Sequence, residues 1–125
     1  MRVFVTVILS FLLLAGFQCK KSAVQQGCFK GKLVKKGICM NYTISVVSGN
    51  IDTSLVAETW QDPTTGVSYD KAFGLGSPCN FPDMAEGAEF YFTIGAPDQE
   101  CAVCMAFYPT PDKKLAITVV DGPCD

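Results

Sequence analysis

The sequence predicts an all-β domain, antiparallel and stapled by disulfides. Three observations carry that expectation. Apolar residues recur at every second position in the stretches between turns. Those stretches are short and are punctuated by glycine and proline. Seven cysteines occur in 125 residues behind an apolar leader, the usage of a small exported domain that supplements a limited core with covalent bridges.

Residues 1–18 read as a targeting segment. Arg2 precedes an uncharged run from Val3 to Phe17 in which Thr6 and Ser10 are the only hydroxyl residues. A spanning helix needs about 20 apolar residues, and this run stops at Gln18 with Lys20 and Lys21 close behind. The pattern is that of a signal peptide. Residues 19–27, CKKSAVQQG, are polar and without periodicity, which suits a tether. Residues 28–125 remain as one domain.

Within that domain the clearest element is Met40 to Val46, where Met40, Tyr42, Ile44 and Val46 alternate with Asn41, Thr43 and Ser45. This is a strand with one buried face. Leu55 to Trp60 and Val67 to Ala72 flank Asp62-Pro63-Thr64-Thr65-Gly66. Proline presets φ there and glycine supplies a positive φ, so the pair reads as a hairpin. The loop from Gly74 to Pro82 carries Cys79. Glu89 to Ile94 alternates again, with Phe90, Phe92 and Ile94 expected inside. Ala102 to Phe107 and Leu115 to Val120 flank Tyr108 to Lys113, a second hairpin-like signal whose two prolines exclude a continuing helix. A sheet of this length must close or double over to bury its aromatics, which gives a small antiparallel barrel of OB-like or related type, or a sandwich.

Seven is an odd number of thiols. Cys19 stands at the end of the apolar run, while Cys28, Cys39, Cys79, Cys101, Cys104 and Cys124 form an even set within the domain. Six cysteines allow fifteen connectivities. Cys28 and Cys124 are placed to close the two ends, with the other four tying strands to the Gly-Pro loop. A native bridge in a small secreted domain contributes about 2–5 kcal/mol.

Leu14-Ala15-Gly16-Phe17-Gln18-Cys19-Lys20-Lys21-Ser22 resembles the export signal of bacterial lipoproteins, in the loose form found in Bacteroidota-type bacteria. Gly16, Phe17 and Gln18 depart from the common lipobox, whereas the Cys-Lys-Lys-Ser continuation is one that group often shows. The resemblance implies a lipid on Cys19, which becomes the first mature residue, and attachment in the cell envelope at the outer membrane facing the periplasm. It also makes the arithmetic close, because one thiol is alkylated and six remain. Lys36 to Ile44 and Gly76 to Pro82 are similar to segments of small cysteine-containing lipoproteins of the same bacteria, a group with no activity to carry over. Cleavage without lipidation would make the chain a secreted protein, inhibitor-like in character.

Six lysines, Lys20, Lys21, Lys30, Lys32, Lys35 and Lys36, precede the first acid, Asp52; three lysines and all twelve acids follow. A basic anchor end suits an anionic lipid surface, or forms a solvated strand face. The net charge of −2, with no aromatic-basic stripe, excludes a nucleic-acid partner. Cys101-Ala102-Val103-Cys104 is the one spacing that suits thiol-disulfide exchange, and it makes a secreted thiol-disulfide protein working through Cys101 and Cys104 the alternative reading, although no long helix follows it. Zinc would need four ligands, usually cysteine or histidine, and there is no histidine. No metal, cofactor or catalytic residue is expected. Asp83, Glu86 and Glu89 recur at intervals of three but read as a solvated turn. Asn41-Tyr42-Thr43 is a glycosylation sequon inside a predicted strand. Trp60, Tyr69, Phe73 and Phe81, with Tyr108, lie at or near predicted loops, where aromatics anchor a protein or small-ligand partner. The reading is a lipid-anchored structural or binding module and not an enzyme.

Overall fold

The computed structural model describes residues 27–95 and 102–124. The leader, the tether with Cys19, and Cys101 lie outside the described residues. Seven strands follow one another: β1 (Cys28–Lys36), β2 (Tyr42–Ser48), β3 (Ala57–Gln61), β4 (Ser68–Leu75), β5 (Glu89–Ile94), β6 (Lys114–Leu115) and β7 (Ile117–Val120). Two single 3-10 turns, Ile38–Met40 and Pro78–Asn80, are the only helical pieces among the described residues.

The pairing order is β3-β4-β2-β1-β5-β7, with β6 on β4. All neighbours are antiparallel except β4 and β6, which run parallel through Gly74 opposite Lys114 and Leu75 opposite Leu115. Only Ala116 separates β6 from β7, and β7 lies against β5 from Tyr91 opposite Val120 to Ile94 opposite Ile117. The ribbon from Lys114 to Val120 therefore bonds to β4 at its start and to β5 at its end. The sheet closes into a small OB-like barrel, and the sandwich alternative falls away. β3 stands outside the circuit as the outer arm of a hairpin on β4.

Closure depends on a close approach. The Gly74 amide donates to Lys113 O at 2.9 Å, and the Gly76 amide to Leu115 O at 2.7 Å. A Cβ on Gly76 would stand 2.8 Å from the Leu115 carbonyl carbon and 3.0 Å from the Ala116 nitrogen. Only glycine lets the two backbones meet there.

Inside, the alternation holds. Phe29 and Leu33 of β1, Ile44 and Val46 of β2, Phe73 of β4, and Phe90 and Phe92 of β5 are buried with Leu115 and Ile117 of the closing ribbon. Phe92 packs 5.5 Å from Phe29 and 5.8 Å from Phe73 between ring centroids, and Phe81 packs 5.3 Å from Phe90. The hairpin predicted around residues 62–66 forms: Trp60 lies opposite Tyr69, and Gly66 takes a φ of 75°.

Four expectations are corrected. The strand expected from Met40 starts at Tyr42, because Cys39 and Met40 adopt left-handed φ values of 55° and 59° in the turn after β1. Thr43 and Ser45, expected outside, are buried. Lys35 lies opposite Thr43 and reaches the buried Asp62 of the hairpin turn, while the Ser45 hydroxyl donates to Asp70 O. Ala102 to Phe107 forms no strand. Its Cys104 is bridged to Cys39 at the β1–β2 turn, and Pro109 and Pro111 bring no amide to a ladder. Leu115 to Val120 is split at Ala116, where the chain passes from β4 to β5.

Two substitutions test this account. Gly76→Ala should destabilise the oxidised domain by about 1–3 kcal/mol, read from denaturant midpoints. The Thr43 hydroxyl is fully buried with no hydrogen-bond partner among the described residues. Thr43→Val, nearly isosteric, should therefore raise stability by about 1 kcal/mol; a loss of stability would show that the hydroxyl is satisfied.

Candidate functional site

Because β1, β2 and β5 alternate, the residues between the core positions share the outer face of the barrel. Lys30, Lys32 and Val34 of β1 stand beside Ser45 and Val47 of β2 and beside Glu89 and Tyr91 of β5. Two adjoining depressions mark this face. The first, of about 600 Å³, is lined by Lys30, Val47, Glu89 and Tyr91 and by the Cys28–Cys124 bridge. The second, of about 490 Å³, is lined by Lys32, Val34, Val47, Tyr69, Asp70 and Glu86. Val47 borders both and is 47% exposed. They lie side by side across the strands with Val47 as a shared wall, and together make up the groove of this face.

The five aromatics singled out in the sequence separate, and Tyr108 is half-buried against Gly37 at the end of β1. Phe73 and Phe81 belong to the core, so neither presents a surface. Trp60 and Tyr69 are half-buried and stack across the β3–β4 hairpin, their centroids 6.3 Å apart and their planes inclined by 22°. Tyr69 lines the groove. Tyr91, absent from the sequence candidates, lines its opposite end. Strand alternation placed Tyr91 opposite to Phe90 and Phe92, and that signal was available.

Charge on this face is largely committed. Lys30 Nζ pairs with Glu89 Oε2 at 2.9 Å and lies 5.8 Å over the Tyr91 ring. The hydrogen bond to Glu89 and its charge raise the Lys30 ammonium above its usual range, and the same contact lowers the Glu89 carboxyl. Lys36 pairs with Asp83 at 2.7 Å, and the Lys36 amide donates to Glu86 Oε2 at 2.9 Å. Thus Asp83, Glu86 and Glu89, the recurring acids of the sequence, each have a partner on β1. Lys30, Lys35 and Lys36 of the basic cluster are ion-paired with acids of the body. Exposed pairs of this kind contribute roughly 0–1 kcal/mol.

The Lys35–Asp62 pair differs. Its N–O distance is 3.2 Å, with the Asp62 side chain fully buried and Lys35 15% exposed. Burial opposes ionisation of Asp62. That opposition is outweighed by the Thr64 hydroxyl at 2.6 Å, the Thr64 amide at 2.8 Å, the Lys35 ammonium and the Thr65 hydroxyl at 3.1 Å, which together lower the carboxyl to about 2. The turn residue read from the sequence is an anion cradle that joins the hairpin to β1.

The cysteines act as staples. Cys28 is bridged to Cys124, joining the start of β1 to the end of the described chain, and Cys39 is bridged to Cys104. Cys79 is also disulfide-bonded. The bridge to Cys39 removes Cys104 from an exchange pair with Cys101. Such pairing points to an oxidising, extracytoplasmic environment. Around Cys104, Ile38, Met105 and Phe107 form an exposed apolar tip, with Met105 97% and Phe107 86% exposed. Asn41 Nδ2 donates to Ile38 O at 2.8 Å and to Ala106 O at 3.0 Å, clamping that tip. The sequon amide is thus engaged in two hydrogen bonds, and Thr43 is buried.

Among the described residues, no helix is long and apolar enough to cross a membrane, and no group of three acids or cysteines is placed to hold a metal ion. Compared with family models, curated proteins and solved structures, the chain matches none.

The Asp62 cradle gives a pH prediction with a definite sign. Its folded carboxyl lies at about 2, below the value of about 3.9 in an unfolded chain. The unfolded state therefore binds the proton first, and stability present above pH 4 is lost as pH falls towards 2. Asp62→Asn should flatten this part of the stability–pH curve, measured by urea unfolding between pH 5 and pH 2.

Proposed function

We propose that this chain is an exported, lipid-anchored binding module of the bacterial cell envelope, held at the outer membrane on the periplasmic side through Cys19. The observation that carries the reading is the use of thiols. Cys28, Cys39, Cys79, Cys104 and Cys124 are all in disulfides, so the domain is built for an oxidising compartment. Cys19, at the end of the apolar run, stands apart from these five in sequence and is the position where the resemblance to a lipoprotein export signal puts the lipid.

The arrangement of the poles supports a tether. β1 starts at the Cys28–Cys124 bridge, and the groove begins beside it. Nine residues precede Cys28 from the proposed lipid site and span about 30 Å when extended, enough to hold the barrel clear of the headgroups. Acyl chains supply the attachment, at about 0.8 kcal/mol per buried CH₂. Three lysines of the domain are already paired with its own acids, so the electrostatic share falls mainly to Lys20 and Lys21.

A role in binding is favoured over catalysis. The chain has no histidine, and the carboxylates of the Asp83–Glu89 stretch are held by Lys30 and Lys36.

Intact-mass analysis and fractionation of the wild type and Cys19→Ser test the anchor. The wild type should carry added acyl mass and sediment with membranes, and the variant should lose both. An unmodified wild-type N-terminus would refute the lipid, while alkylation of the native protein should leave the six domain cysteines unlabelled.

A further inference from the structure

We infer that the groove on the outer face binds a neutral oligosaccharide chain. The inference deepens the binding-module reading and is independent of the lipid. Four properties of the face point to this ligand.

The first is shape. The two depressions meet at Val47 and open to solvent along their length, running from the Cys28–Cys124 bridge to Tyr69. A linear chain of several units fits such a cleft better than one enclosed small molecule, which would need to bury most of its surface.

The second is the state of the backbone. β1 is paired on one side to β2 and on the other to β5, and β2 is paired to β1 and β4. Along β1, which is flanked on both sides, the groove floor therefore offers side chains and no free amide ladder. An extended peptide gains its affinity by adding to a strand edge, and β1 has none to give. Its aliphatic lining is limited to Val34, Val47 and Pro123, which form no row of pockets for alternate side chains of a peptide.

The third is charge. Lys30 and Lys32 face Glu89, Glu86 and Asp70 across the groove, and Lys30 is already held by Glu89 at 2.9 Å. A polyanion such as a nucleic acid or sulfated glycan would meet as many carboxylates as ammonium groups. A neutral ligand meets no such conflict.

The fourth is the pattern of the polar and aromatic groups. Tyr91 stands at one end and Tyr69, backed by Trp60, at the other. Pyranose rings carry an apolar CH face that packs on an aromatic ring, and vicinal hydroxyls that both donate and accept. The carboxylates of Glu86 and Asp70 supply acceptors and the Lys32 ammonium supplies donors between the two tyrosines. Aromatic stacking beside mixed donors and acceptors is what such a chain requires.

The test uses the mature exported protein with its disulfides intact. Amide chemical shifts are followed by NMR during titration with four neutral hexasaccharides: β-1,4-linked glucose, β-1,4-linked N-acetylglucosamine, α-1,6-linked glucose and α-1,6-linked mannose. A heparin hexasaccharide and a neutral Gly-Ser-Asn decapeptide are titrated in parallel. At least one neutral hexasaccharide should shift residues of β1, β2 and Tyr91 saturably, with a Kd of about 1 mM or tighter. Val47→Arg, which fills the junction from an exposed position, should weaken binding at least tenfold, as should Tyr69→Ala. Met105→Ser at the opposite tip should leave it unchanged. The amide spectrum of each variant reports its folding, so a collapsed Tyr69→Ala is recognised and Val47→Arg carries the result. No saturable shift with any neutral hexasaccharide, shifts outside the groove, or binding of heparin or the peptide alone would overturn the inference. Cys19 acylation does not enter the readout, so failure here leaves the anchor reading separately testable.

Discussion

The ribbon from Lys114 to Val120 is the constraint on which the rest of the molecule depends. Without it, β5 and the end of β4 at Gly74 and Leu75 would each present an unpaired edge. The ribbon satisfies both ends in seven residues by running parallel to β4 and then antiparallel to β5. Gly76 permits the contact, because any Cβ there would meet the Leu115 backbone. Closure turns one row of side chains inward as a core of phenylalanines and commits the other row to a single outer face. The groove is a consequence of that closure.

The other interactions hold what closure leaves exposed. β3 lies outside the circuit and has β4 as its only strand neighbour among the described residues. Asp62 compensates by drawing Lys35 onto the turn, so that the arm carrying Trp60 and Tyr69 is tied to β1 as well as to β4. At the far end of β1, Cys39 and Met40 hold left-handed φ angles that cost roughly 1–3 kcal/mol each. The Cys39–Cys104 bridge and the two hydrogen bonds from Asn41 maintain that turn and with it the apolar tip. Each exposed feature therefore has a second attachment to the barrel.

Much of the fold was legible in the residues. Alternation in Tyr42 to Val46 and in Glu89 to Ile94 marked two core strands, and Asp62-Pro63-Thr64-Thr65-Gly66 marked the hairpin. The candidate site was legible only in part. Tyr69 and Phe73 are four residues apart and would share one face of an uninterrupted strand. Lys71 lies between them with a φ of 48°, so the strand changes course: Tyr69 lines the groove while Phe73 is fully buried. Residues 102–107 alternate little and were read as a strand from their apolar content, which instead forms the exposed tip around Cys104. Tyr91 sits within a strand between Phe90 and Phe92, which face the core, so alternation turns it outward.

By itself the sequence determined the properties that depend on nearest neighbours along the chain: strand periodicity, turn chemistry, the absence of histidine and a cysteine content suited to an oxidising compartment. The tertiary structure alone decided that the sheet closes, that Cys104 meets Cys39, and that Lys30 and Lys35 face acids rather than solvent. Alternation distinguishes two faces of a strand but carries no information about which distant strand lies beside it. Pairing between residues 65 and 96 positions apart is set by how the whole sheet curls, and local spacing does not encode that curvature.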